Sequence, residues 1–385
     1  MAKTTLNYKL LLHLFDSAYI RRWNDQVRTA DFREIDKQAH KFIIAFLIGK
    51  HNKSKDFDWQ SLIEAGVYEF FHRLALTDLK PQLFHRITED KATYKKLITY
   101  SKNKLAESFN DNDFLKAYEE YFIKKLTKPN IYNQIMDSAN YIASREEFEI
   151  IKQTNPKGYR VALIDKEIKK NIDTALKIEG VKNIENNKKL RDFIKLCGQL
   201  RFQIRWSNMH RVPKTSVLGH MLTVAIITYL LTKDDKTKIK NIYNNFFTGL
   251  FHDLPEALTR DIMSPLKEVG GMLDIIKKYE REEMEQTVYP LLPAHIKSDI
   301  KLFTMNEFDI LKKGKNITRN GDLLKAVDRL SAYIEAYLAL QNGVKNKDLK
   351  DARTTLAKKY TKTPIIGGVN FGNFYKDLEN KFLII

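Results

Sequence analysis

Residues 201–265 read RFQIRWSNMHRVPKTSVLGHMLTVAIITYLLTKDDKTKIKNIYNNFFTGLFHDLPEALTRDIMSP. Within them LGHMLTVAIITYLL is apolar on every side, the mark of a helix buried all round. A second helical run, IKNIYNNFFTGLF, leads into His252-Asp253 and then Pro255. Proline disfavours helix in the residue before it, so this helix is expected to stop at His252-Asp253, where both side chains can enter one cavity. Ser264-Pro265 reads as an N-cap and a first-turn proline opening the next helix. Downstream, Leu324, Val327, Leu330, Ile334 and Leu338 recur at spacings of three and four along DLLKAVDRLSAYIEAYLAL, with Asp328 beside the stripe. Asp322, just after Gly321, is positioned to cap that helix. Alternating strand patterns are scarce elsewhere, and the fold class expected is all-α.

The chain has 385 residues, enough for two domains with separate cores. Glu179–Lys189 is polar and Asn-rich with one glycine, so the boundary is set there, giving domains 1–180 and 190–385. Thr363–Asn373, with adjacent Gly367 and Gly368, reads as an ordered loop. A glycine pair alone argues for a plain turn over a phosphate cradle. Hydrophobic residues at 43% with charged residues at 30% exclude wholesale disorder. The single cysteine, Cys197, excludes an intrachain disulfide and a Cys-x-x-Cys metal site, and points to a reducing, cytoplasmic compartment. The N-terminal apolar patch is bounded by His13 and Asp16 and lacks a cleavage pattern, so no signal peptide is expected. No run approaches the ~20 apolar residues of a membrane span. The formal net charge of +18 favours anionic partners such as nucleotides, phosphate esters, nucleic acid or acidic lipid; a lysine-rich solvated surface accounts for it equally well.

The donors His220, His252, Asp253 and Asp328 suit a divalent ion such as Mn, Co, Fe, Ni, Zn or Mg. Such an ion lowers the pKa of a bound water toward neutrality. Glu256 and Asp261 are carboxylates that could orient that water or move protons. Arg205 offers a fork for phosphate oxygens, and Trp206 a flat face for a sugar or base. Each residue has a plainer reading. A lone histidine on an apolar helix is usually a packed core residue, and a lone Asp328 a helix surface group. Glu256 fits the first turn of a helix, Asp261 a turn, and Arg205 with Trp206 a cation resting on a ring.

Taken together, the residues resemble the HD superfamily of metal-dependent phosphohydrolases, and within it the bacterial 5'-deoxynucleotidase-like branch. The matching elements run in order over about 200–340: Arg205-Trp206 before His220, the doublet His252-Asp253 followed by Glu256, then Thr259-Arg-Asp261, Pro265 and the helix holding Asp328. The resemblance implies His220, His252, Asp253 and Asp328 as metal ligands and Glu256 as the group acting on the nucleophilic water. It also implies that Asp261 supports the site, Arg205 holds phosphate and Trp206 bounds the sugar. The branch often has an acid just before the first metal histidine; here Gly219 stands there, so substrate preference is expected to differ.

The N-terminal half resembles the same pattern. His40 opens HKFIIAFLIG, and His72 follows it by 32 residues, as His252 follows His220. EFFHRLALTDLKP matches GLFHDLPEALTRDIMSP with a few residues deleted. Arg22-Trp23 precedes His40, and Asp137 in QIMDSANYIAS resembles Asp328. A tandem repeat of two HD-type domains with a degenerate first copy is therefore expected. Arg73 replaces the metal aspartate, so that copy is expected to hold no catalytic metal and to be structural, or to form a regulatory or anion-binding pocket with Arg22 and Trp23.

The expected activity is hydrolysis of a nucleotide or related phosphate ester, 5'-nucleotidase first and nucleoside triphosphohydrolase second. The competing reading is a nucleic-acid-binding protein or HD nuclease, and a catalytically dead scaffold is a third. Phosphorylated small molecules are the expected partners, with nucleic acid and a second copy of the chain open, and no membrane.

Overall fold

A computed structural model describes residues 6–233, 239–262 and 269–382. Helices make up 71% of the structure, and strands pair only as three two-stranded antiparallel ribbons, so the architecture is all-α. The expected cap at Ser264-Pro265 lies outside the described residues. No described helix is long and apolar enough to cross a membrane. The chain divides into two compact units, Met1–Asn187 and Lys188–Ile385.

The first unit runs α1 (Tyr8–Asp16), the ribbon β1 (Arg21–Arg22) and β2 (Phe32–Arg33), then α2 (Glu34–Lys50), α3 (Trp59–Leu76), α4 (Pro81–Glu89), α5 (Lys91–Ala106), α6 (Asn112–Thr127), α7 (Ile131–Thr154), α8 (Val161–Ala175) and α9 (Glu179–Glu185). Helix α2 is the axis: Glu34 through Gly49 are all buried, against α7 above all. Burial all round a helix that carries Glu34, Lys37 and Lys41 demands internal partners for charge. Two are supplied, Arg22 to Glu34 at 3.0 Å and Glu69 to Lys41 at 2.7 Å. The Asn-rich stretch 179–189 is mostly helical, because Val181 and Ile184 are apolar enough to bury one face of α9.

The second unit runs α10 (Lys188–Gln199), α11 (Val217–Thr232), α12 (Ile239–Phe251), the single turn α13 (Glu256–Thr259), α14 (Met272–Glu283), α15 (Ala294–Thr304), the ribbon β3 (Leu311–Lys313) and β4 (Asn316–Arg319), α16 (Gly321–Gln341), α17 (Lys347–Lys362), the ribbon β5 (Ile365–Ile366) and β6 (Val369–Asn370), and α18 (Phe371–Phe382). Helix α11 is the core, flanked by α12 and α16. At the closest approach of α11 and α12, a Cβ on Gly249 would lie 3.0 Å from the Ala225 backbone, so glycine lets the two axes meet. Asp322 does not cap α16. Asn320 does, accepting a hydrogen bond from the Leu323 amide, and Asp322 sits in the first turn, where its charge suits the helix dipole. The expected loop at 363–373 contains the β5–β6 hairpin, whose two turn residues, Gly367 (φ 57°) and Gly368 (φ 86°), take the left-handed conformation a two-residue turn needs.

Candidate metal centre

Helix α12 ends at Phe251, and His252-Asp253 follow in the turn that Pro255 enforces. From α11, His220 stands one turn after the Ser216 cap, whose hydroxyl accepts from the Gly219 amide at 2.8 Å. The two imidazole centroids are 5.4 Å apart. One donor atom each from His220, His252 and Asp253 lies within 4.8 Å of the other two. His252 Nε2 is 3.2 Å from Asp253 Oδ2, and His220 Nε2 is 3.6 Å from the same oxygen. Asp328, from α16, joins through His220, Oδ1 to Nε2 3.0 Å.

The site fits a divalent cation. His252 Nδ1 faces the Gly249 carbonyl at 2.9 Å, which only accepts, so Nδ1 carries the proton and Nε2 offers its lone pair inward. That Nε2 is buried and has no well-aligned hydrogen-bond partner. Burial would lower the pKa of His252, but the charges of Asp253 beside it and of Asp328 outweigh that and raise it to about 9. Burial likewise disfavours the charged Asp253, yet His252, His220 and Arg205 hold it well below the usual carboxylate range. A cavity whose carboxylates raise the pKa of His252 is short of positive charge, the condition a bound metal relieves.

Arg205 and Trp206 are held from behind. Glu335 Oε2 accepts from Arg205 Nε at 3.2 Å and from Trp206 Nε1 at 2.8 Å. Its Oε1 accepts from Thr215 Oγ1 at 2.5 Å, and Thr215 in turn accepts from Arg211 Nη2 at 2.7 Å. Glu335 is 1% exposed. Burial raises its pKa, but Arg205 and Arg211 outweigh that and hold it at about 2. With Nε tied back, Arg205 turns Nη1 toward the metal donors, 3.7 Å from Asp253 Oδ2. It is thus a half-buried, paired cation rather than a surface charge on a ring. Trp206 has left-handed backbone (φ 57°) and packs on the small cluster of Ala336, Ala339 and Leu349. Asp261 Oδ2 accepts from the Trp206 amide at 3.2 Å. Glu256 is buried at the start of α13. His210 and His295 are exposed.

Sequence reasoning missed Glu335, Thr215 and Arg211. The signal for Glu335 was present, a lone acid seven residues after Asp328 in an apolar helical run and so on the same face.

In the first unit, His40 and His72 are buried, but His72 belongs to an aromatic cluster. Its ring centroid is 4.2 Å from that of Phe122, and Nδ1 meets Tyr118 at 2.5 Å and Ser101 at 3.1 Å. Among the described residues, the one group of three or more clustered metal-type donors is that of His220, His252 and Asp253.

Residues 197–366 match the model of the HD domain family. A 5'-deoxynucleotidase of Pasteurella multocida is 25% identical over 179 residues, 44% of this chain and 83% of that protein. A 5'-deoxynucleotidase of Vibrio vulnificus is 25% identical over 177 residues, 45% of this chain and 87% of that protein. A 4'-phosphooxetanocin A phosphatase of Priestia megaterium is 22% identical over 202 residues, 50% of this chain and 93% of that protein.

Proposed function

We infer the reaction from family: through residues 197–366 the chain belongs to the HD superfamily of metal-dependent phosphohydrolases, in the 5'-deoxynucleotidase-like branch, and it is a nucleotide phosphohydrolase. Its substrate in this reading is a nucleoside 5'-monophosphate, cleaved to nucleoside and inorganic phosphate. The observation that carries the reading is the convergence of His220, His252 and Asp253 within 4.8 Å, with Arg205 3.7 Å from Asp253.

His220, His252, Asp253 and Asp328 would hold the divalent ion, one of Mn, Co, Fe, Ni, Zn or Mg. When bound, it supplies Lewis acidity, drawing charge from the phosphoryl oxygens and acidifying water. Arg205 directs Nη1 at the phosphate while Glu335 fixes its plane, so the fork meets the oxygens without first paying for order. Trp206, locked at Nε1 by Glu335 and at its amide by Asp261, bounds the sugar. Glu256 takes the proton of the attacking water at its carboxylate and passes it to the departing 5'-oxygen as the ester P–O bond breaks. A nucleotide substrate and a single cysteine fit a reducing, cytoplasmic setting.

The test is phosphate and pyrophosphate release from ribo- and deoxynucleoside mono- and triphosphates and a single-stranded oligonucleotide, with each metal or with chelator. Phosphate from monophosphates, abolished by chelator, is the expected result. Release only from triphosphates or the oligonucleotide would replace the substrate class.

A further inference from the structure

The two units share one local plan, and it is clearest at the Arg-Trp pairs. In the second unit, Ile204 pairs antiparallel with Ser216, the residue before α11. In the first, Arg21 pairs antiparallel with Arg33, the residue before α2. Both tryptophans are left-handed, Trp23 at φ 58° and Trp206 at φ 57°. Both pairs hang on a buried glutamate of the long helix: Glu147 Oε2 accepts from Arg22 Nε at 2.9 Å and from Trp23 Nε1 at 2.8 Å, as Glu335 does from Arg205 and Trp206. Asp78 accepts from Asn24, next to Trp23, at 2.8 Å, as Asp261 accepts from the Trp206 amide.

This shared plan sets a register that differs from the sequence match. The fourth residue of α11 is His220, and the fourth residue of α2 is Lys37, so His40 lies one turn too late. The residue seven before the clamping glutamate is Asp328 in α16 and Asn140 in α7. Asp137, the apparent match, instead pairs with Lys125 at 2.7 Å. Arg73 follows His72 as Asp253 follows His252, and its Nε lies 3.4 Å from Glu34, which also holds Arg22 at 3.0 Å. At all three positions the first unit is more positive where the second has a metal donor.

Lys37 is the odd group in this arrangement. It is 4% exposed, and no hydrogen bond or ion pair reaches its ammonium among the described residues. Burial, with Arg22 and Lys41 nearby, pushes it well below the usual lysine range, although Glu34 and Glu147 pull the other way. Desolvation and the neighbouring cations disfavour its charge, and an anion bound beside it would restore that charge.

We propose that the first unit is a charge-inverted copy of the second and binds a phosphate oxyanion between Lys37, Arg73 and Arg22, where the second unit would hold its metal. The protein's own cations take the place of the ion, so the oxyanion is bound and not cleaved. The source is inorganic phosphate or a mononucleotide, and this inference stands whether or not the second unit is a nucleotidase.

The test is titration calorimetry on the full chain carrying Asp253→Ala, with chelator and fixed chloride, using inorganic phosphate in one arm and a nucleoside 5'-monophosphate in the other. Binding in either arm is expected, weakened at least tenfold by Lys37→Met and by Arg73→Gln, and any separate binding event that Arg205→Gln removes belongs to the second unit. The stronger arm identifies the source. Thermal melting without ligand controls for folding, and Lys37→Met is expected to melt no lower than its parent because it replaces a largely buried amine with an apolar side chain of similar length. No binding in either arm, or only binding that survives Lys37→Met and is lost with Arg205→Gln, overturns the proposal.

Discussion

The buried Glu335 carboxylate holds the Arg205 guanidinium by Nε at 3.2 Å and leaves Nη1 pointing at Asp253, so one ion pair fixes the direction of another group's charge. Glu335→Gln keeps the shape and removes the charge. The expected result is a rise of about tenfold in KM for the phosphate ester, the scale of one charge-assisted hydrogen bond, with a smaller fall in kcat. Glu335→Ala should cost about 3–5 kcal/mol of stability, because it takes the shared acceptor from the half-buried Arg205, the Trp206 indole and the buried Thr215 hydroxyl. Steady-state kinetics and denaturant melts read both effects.

Arg205→Lys keeps a positive charge but loses the planar fork. Lysine cannot satisfy Glu335 and reach the substrate phosphate together. The expected loss in kcat/KM is about 10–100-fold, with metal content unchanged. A kcat/KM equal to the parent's would place the phosphate elsewhere.

Gly249→Val tests whether the contact of α11 and α12 sets the metal site. Valine gains a few tenths of a kcal/mol of helix propensity over glycine. Against that, its Cβ starts 3.0 Å from the Ala225 backbone, and overpacking costs about 1–3 kcal/mol. The clash wins, so stability should fall. Metal affinity should fall with it, because His252 Nδ1 bonds the carbonyl of that same glycine. Metal titration followed by melting measures the two together.

His72 gives the first unit an acid-sensitive limb. Burial, with Lys125 and Arg73 nearby, lowers its pKa from 6.5 to about 3 despite the opposing pull of Glu69. The unfolded chain therefore takes up a proton below pH 6.5 that the folded chain refuses down to about 3, and stability is lost as pH falls through that window. Between pH 6 and 5 the expected contribution to the slope is about 1.4 kcal/mol per pH unit. His72→Gln should flatten it, and denaturant melts across pH 5–7 provide the measurement.

The helical fold was legible because Val217–Thr232 is apolar on all faces and Leu324–Leu338 is periodic, and both patterns survive without tertiary information. The meeting of His252 and Asp253 at one point was legible because Pro255 forces a stop next to them. The clamp was not legible, because Glu335 meets Arg205 across 130 residues and spacing says nothing at that range. The expected repeat was read from His40 and Asp137, each one turn from the register proposed above. A helix repeats its face every three to four residues, so a one-turn slip preserves apolar pattern while exchanging the donor, and the Trp23–Glu147 hydrogen bond is what supports the proposed register at Lys37 and Asn140. The helix at 179–185 was not legible in an Asn-rich stretch, because two buried aliphatics suffice to hold one short helix.

The central claim is that His220, His252 and Asp253 form the centre at which nucleotide phosphate is hydrolysed. Phosphate release from a nucleoside 5'-monophosphate, followed as metal is titrated into chelator-stripped wild-type and Asp253→Ala full chain, tests it most directly. Release that saturates with metal in the wild type, and at least a thousandfold less in the variant, is expected. Equal release from both proteins, or release that chelator leaves intact, would contradict it.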